Sequence, residues 1–201
     1  MEIKQGFIFP KPFWSTEINL NNKVLENECY QIKKNVPGVI KSNAGQNSYH
    51  SPNLINLKNS PEILKLIKEI TSCVKVIHQQ SKREDVKLTS FWININGSGG
   101  LNKPHTHSGH TYSGVFYIKV PSEMKEGNLL FLKDHNERFV QESMGNFKEG
   151  YRPRPTDLSK LPVKPVENLL MIFPSWLPHS VEPNDVEEER ISLSFNFILL
   201  P

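Results

Sequence analysis

From Ser60 to about Gln80 apolar side chains return every third or fourth position: Ile63, Leu66, Ile67, Ile70, Val74 and Ile77. That spacing predicts a helix with one apolar face, with Ser60 as its N-cap and Pro61 in its first turn. A weaker pattern of the same kind, Val24, Leu25 and Ile32 among Glu and Lys, predicts a helix over 22–35. From residue 85 onward the period changes to two. Lys87–Asn96, Ser113–Val120, Asn128–Leu132, Asn168–Phe173 and Ile191–Leu199 are short β-type runs bounded by Gly, Pro or Asn. Short strands without interleaved helices predict an antiparallel sandwich or barrel, so the fold expected is mainly β, a jelly-roll core with flanking helices. The aromatic runs Gly6–Pro10 and Pro12–Trp14 predict an edge strand and a lead-in. Residues 36–58, rich in Gly, Asn, Ser and Pro, are expected as a loop, and the polar stretch 133–160 as a long loop or lid.

At 201 residues and 37% hydrophobic, the chain is expected as a single domain, 1–201. A strand and supporting helices would occupy 1–84 and the β core 85–201. The net charge of +3 is spread without a basic run, so nucleic-acid binding is not suggested. No apolar stretch approaches a membrane span, and Met1–Gln5 lacks a signal-peptide layout. Cys29 and Cys73 have no paired spacing and are expected as reduced thiols, which points to the cytoplasm. An oligomer stays open.

Three segments carry chemistry: Pro104-His105-Thr106-His107, Trp176-Leu177-Pro178-His179, and Glu189-Arg190-Ile191-Ser192. Residues i and i+2 on a strand point the same way, so His105 and His107 can offer two imidazole nitrogens to one ion. His179 would come alongside where a jelly roll brings distant strands together. Such neutral nitrogen donors suit iron, zinc, copper or nickel. Arg190, opening the last strand, can grip a carboxylate in bidentate fashion, and Ser192 on the same face can donate its hydroxyl. The bland reading of Arg190 is a surface ion pair with Glu187, Glu188 or Glu189. His50, His78 and His135 are expected as solvated surface histidines. His110 is a secondary candidate for ligand or substrate contact.

In this order and spacing the residues resemble the 2-oxoglutarate and Fe(II)-dependent oxygenases, in particular the prolyl-hydroxylase-like members. The likeness runs over roughly 88–200: Trp92–Gly99, Pro104–His107, Val115-Phe116-Tyr117-Ile118, Glu126-Gly127-Asn128, Asn168–Phe173, His179 and Arg190. Ser113–Tyr117, Phe173–His179 and Arg190–Asn196 resemble a bacterial and phage subgroup more closely, with Phe9-Pro10 and the Ser51 loop as further markers. The resemblance implies a double-stranded β-helix and an oxidoreductase that uses Fe(II), 2-oxoglutarate and dioxygen. Arg190 and Ser192 would hold the far carboxylate of 2-oxoglutarate, with a hydroxyl from Tyr117. Trp92, Phe116, Phe173 and Trp176 would wall the site or simply pack the core.

The chain departs from the family where an Asp or Glu ligand is usual, because His107 stands there. Three readings are open. His107 is the third ligand; or His107 is the first, with Gly109 in the acid's place and a water or halide beside it; or Asp134 supplies the oxygen. The first is favoured by the alignment of Pro104-His105. The substrate, a small molecule or a protein side chain such as peptidyl proline, is not legible. Two rivals use the same β core: a cupin-like three-histidine enzyme without 2-oxoglutarate, and a non-catalytic β-sandwich binding module.

Overall fold

Residues 11–40, 44–45, 47–79, 85–133 and 159–200 are described by the computed structural model of the protein. In chain order they form β1 (Trp14–Glu17), α1 (Asn22–Asn35), β2 (Ser48–His50), α2 (Pro61–His78), β3 (Val86–Asn96), β4 (Asn102–His105), β5 (Tyr112–Lys119), β6 (Leu129–Leu132), β7 (Lys160–Val163), β8 (Leu169–Pro174), β9 (His179–Val181) and β10 (Arg190–Leu199). The six-stranded sheet has the order β1-β8-β5-β10-β3-β2 and the four-stranded sheet β4-β9-β6-β7. All pairings between these strands are antiparallel. This is the jelly-roll core with flanking helices that the periodicity predicts.

The large sheet carries different chemistry on its two faces. Along β10, Ile191, Leu193, Phe195 and Phe197 are buried in one apolar cluster with Phe91, Ile93 and Ile95 of β3 and Phe116 and Ile118 of β5. Leu25, Cys29 and Ile32 of α1 and Ile63, Leu66, Ile70 and Val74 of α2 close that cluster from outside. The residues between them, Arg190, Ser192, Ser194 and Asn196 on β10 and Trp92, Asn94 and Asn96 on β3, line a cavity on the opposite face. A smaller apolar cluster of Leu129, Phe131, Met171, Phe173 and Leu177 fills the space between the sheets beside β6 and β8.

Several expectations change on inspection. The 36–58 loop contains β2, and β4, β7 and β9 are strands of three or four residues, too short to show a period. The 133–160 segment ends in the first residue of β7, and its residues 134–158 lie outside those described, as does the aromatic run Gly6–Pro10. His78, expected on the surface, is buried and meets the Tyr112 ring edge-on. Trp176, a candidate wall, is instead exposed, while Phe116 belongs to the core.

Ser60 sits at the N-cap of α2 but makes no side-chain cap bond. The cap comes from the other helix. The backbone N–H groups of Glu62 and Ile63 donate to Glu28 Oε1 and Oε2 at 3.1 and 2.9 Å. A carboxylate at a helix N-terminus satisfies orphan donors and complements the helix dipole. It also ties α1 to α2. Glu28→Ala is therefore expected to destabilise the protein by about 1–2 kcal/mol, with Ser60→Ala close to neutral. Urea unfolding of the two variants checks this, and an equal loss for both would assign the cap to Ser60.

Candidate metal centre and its cavity

Strand pairing builds the histidine cluster. In the β4–β9 ladder His105 lies directly opposite His179, so two imidazoles distant in sequence become cross-strand neighbours. His107 follows the end of β4 and is fixed there by its backbone N–H, which donates to Ser175 O at 2.9 Å. Ring centroids lie 4.4 Å apart for His105 and His179, 5.0 Å for His105 and His107, and 5.1 Å for His107 and His179. One ring nitrogen from each falls within 4.8 Å of the other two.

Backbone carbonyls set two of the tautomers. His105 Nδ1 lies 2.7 Å from Lys103 O, and His179 Nδ1 lies 2.9 Å from Leu177 O. A carbonyl only accepts, so each Nδ1 carries the hydrogen and each neutral ring presents its Nε2 lone pair. The Nε2 atoms of His107 and His179 approach to 3.2 Å. Trp92 leans on His107, and His50 stacks on Trp92 at 5.6 Å. Phe173 meets His179 edge-on at 4.7 Å.

The same cavity, about 530 Å³ in volume, contains Arg190, Ser192 and Tyr117. Ser192 and Tyr117 are register partners across β10 and β5, and Arg190 is opposite Asn96 of β3. Arg190 is only 2% exposed. Its Nη1 donates to Gly127 O at 2.6 Å, its Nη2 makes a long contact of 3.5 Å to Asn96 Oδ1, and its Nε has no partner among the described residues. Gly127 has φ +85°, and a Cβ there would stand 2.8 Å from Nη1. Only glycine therefore combines that turn with this close approach. Burial lowers the guanidinium's pKa from its ordinary value, while the neighbouring Tyr117 opposes the shift. Burial pushes the Tyr117 phenol up to about 12, against the effect of Arg190, so it is a neutral hydroxyl.

The surface-pair reading of Arg190 fails on geometry. Glu189 accepts from Lys33 Nζ and Tyr30 Oη at 2.8 Å each, and Glu188 pairs with Lys119 at 3.1 Å. None of these acids reaches Arg190. Among the described residues no Asp or Glu lines the cavity. His110 bonds through Nδ1 to Ser108 O and does not line it, and Gly109 occupies an exposed turn with φ +81°. Asp134 and His135 lie outside the described residues. His50, expected on the surface, does line the cavity, because β2 pairs it with Asn94 of β3. No periodic signal in 36–58 pointed to it.

A family model described as "Putative 2OG-Fe(II) oxygenase" matches residues 90–196, which carry the three histidines of the cluster, Tyr117, Arg190 and Ser192. The chain belongs to this family of 2OG-Fe(II) oxygenases. Solved structures agree in fold. A prolyl-4-hydroxylase from Pseudomonas putida is 17% identical, with TM-score 0.65 over 95% of this chain and 94% of that one. A prolyl hydroxylase from Trichoplax adhaerens, solved with a hypoxia inducible factor peptide fragment, is 12% identical, with TM-score 0.64 over 92% and 83%. HygX from Streptomyces hygroscopicus, solved with nickel and 2-oxoglutarate, is 10% identical, with TM-score 0.62 over 93% and 82%. No curated protein matches the chain in sequence. The fold is the double-stranded β-helix of these oxygenases.

The oxygenase's cofactors are Fe(II) and 2-oxoglutarate, and its residues fit both. Three imidazole nitrogens suit a borderline divalent ion. A buried guanidinium that has, among the described residues, no Nε partner and no acid beside it suits the far carboxylate of a dicarboxylate.

Burial, then the charges of His105 and His107, hold the His179 imidazole down at about pKa 3 despite the Leu177 carbonyl. An unfolded histidine titrates near 6.5. Below that pH the unfolded chain takes up a proton that folded His179 refuses, so this contribution is intact above 6.5 and is lost as the pH falls toward 3. The metal-free oxygenase is expected to lose stability through that window, and His179→Gln to lose less. Urea midpoints measured from pH 7 to 4 check this; identical slopes would show that His179 is not the group responsible.

Proposed function

We propose that His105, His107 and His179 together hold Fe(II), with His107 in the place of the family's acid. Arg190, Ser192 and Tyr117 then bind the far carboxylate of 2-oxoglutarate. The observation that carries this reading is the convergence of three imidazoles on one cavity that also contains a buried arginine with no acid partner among the described residues. When bound, iron and 2-oxoglutarate supply dioxygen activation coupled to decarboxylation of the cosubstrate to succinate.

The chain's own part is orientation. The Lys103 and Leu177 carbonyls aim two imidazoles, and Gly127 and Asn96 seat the guanidinium. Phe173 packs against His179 and Trp92 against His107. We read the reaction as hydroxylation of a small molecule or protein side chain that enters beside Ser90, Asn94 and Ser194, all of which line the cavity. Residues 1–84 and 85–201 act as one domain, which the apolar cluster shared by the helices and the large sheet supports. No described helix is long and apolar enough to cross a membrane, and both cysteines are free, which supports a cytoplasmic setting.

A cupin-like enzyme without 2-oxoglutarate would use the same histidines but leave Arg190 without a role. Anaerobic addition of Fe(II) and then 2-oxoglutarate is expected to give the visible charge-transfer absorption of a chelated 2-oxo acid, and exposure to air to release succinate. Arg190→Ala removes a bidentate, charge-assisted contact, so the apparent affinity for 2-oxoglutarate should fall by about 100-fold or more. Iron binding with neither absorption nor succinate would select the cupin-like enzyme.

A further inference from the structure

The charge inside the cavity is unusual and has a binding consequence that rests on the ligand assignment proposed above. Among the described lining residues the formal charge is the guanidinium of Arg190, with no carboxylate to offset it. Three neutral imidazoles leave a bound divalent ion at +2, where an Asp in place of His107 would bring it to +1. A cavity of this volume is only about 10 Å across, a distance over which like charges in a protein interior still repel. The loaded ion and the buried guanidinium therefore present three positive charges to one cavity. The nearest acids in sequence, Glu188 and Glu189, are committed to Lys119 and Lys33.

We propose that His107 makes 2-oxoglutarate the charge partner of both the ion and Arg190, so that Fe(II) and cosubstrate are retained as a pair and neither is held firmly alone. The dianion meets the ion with its 2-oxo acid end and Arg190 with its far carboxylate, offsetting two of the three charges. Linkage makes the effect reciprocal: whatever factor the dianion adds to iron affinity, iron adds to dianion affinity. His107 sets the size of that factor. It leaves on the ion a unit of charge that an acidic ligand would remove.

The test is anaerobic Fe(II) titration of the full chain, read by competition with a coloured chelator, with no additive, with 2-oxoglutarate, or with pyruvate. Pyruvate offers the same chelating end but no far carboxylate, so it separates chelation from neutralisation of Arg190. Saturating 2-oxoglutarate is expected to tighten Fe(II) by about 30-fold or more, within the usual range of strong coupling, and pyruvate by several-fold less. His107→Asp should tighten Fe(II) alone and reduce the 2-oxoglutarate factor. Arg190→Gln should also tighten Fe(II) alone while weakening 2-oxoglutarate, and a misfolded site could not produce that gain in affinity. Equal factors for 2-oxoglutarate and pyruvate, with Arg190→Gln leaving iron affinity unchanged, would overturn the proposal and leave the oxygenase reading intact. Failure to bind Fe(II) under every condition would overturn both.

Discussion

Strand alternation at the centre of the large sheet is the constraint on which the site depends. β10 must hold Ile191, Leu193, Phe195 and Phe197 under the helices and Arg190, Ser192, Ser194 and Asn196 toward the cavity. A slip of one residue would exchange the two sets, placing a guanidinium and two hydroxyls in the apolar layer. Burying one Leu, Ile or Phe is worth about 1.5–3 kcal/mol, so the apolar set fixes the register with a large margin. Register shifts occur only near the strand's ends, at Ile191/Ser192 against β5 and at Asn196/Phe197 against β3. Because the main apolar layer lies outside the roll, its interior is free to be polar. Asn196 accepts from Ser113 and donates to Ser90, and Asn94 donates to Ser194, so polar side chains of the inner face satisfy one another.

The small sheet does a different job with very little chain. β4 and β9 have four and three residues, yet their one ladder sets His105 opposite His179. Each imidazole is then aimed by a carbonyl two residues earlier in its own chain, a local bond that forms whenever the strand does. His107 is held by a backbone bond to Ser175, whose hydroxyl meets Ser113 of the large sheet. The cluster is thus tied to both sheets, and the separation between its nitrogens follows from how the sheets stack.

Much of this was legible in the sequence, for identifiable reasons. The long strands announce themselves because ten residues of alternation are hard to mistake, and Arg190-Ile-Ser-Leu-Ser-Phe-Asn-Phe carries the pattern in plain form. The alternation does not say that its polar face meets a cavity rather than bulk water. β2, β4, β7 and β9 are too short and too polar to carry an apolar run like the Leu129–Leu132 of β6, and their partners specify them. His50 shares that fate: its place beside Trp92 exists only through pairing with β3. Local sequence points to Ser60 as the cap of α2, whereas the acceptor of its first N–H groups is Glu28, a residue that only helix packing brings near.

Arg190 shows how a strand can keep a buried charge apart from the acids beside it. Glu187, Glu188 and Glu189 immediately precede it, and in a flexible segment they would be its natural partners. Consecutive strand residues face opposite sides, so the entry into β10 sends Glu189 outward to Lys33 and Tyr30 and Arg190 inward. Inside, the guanidinium meets a carbonyl and an amide oxygen, which take its hydrogens without cancelling its charge. Burying a cation on those terms costs stability relative to an apolar side chain of similar size. The apolar layer outside the roll offsets that cost, and the charge stays available for an anionic ligand. The same alternation that fixes the register therefore also sets the sign of the field in the cavity.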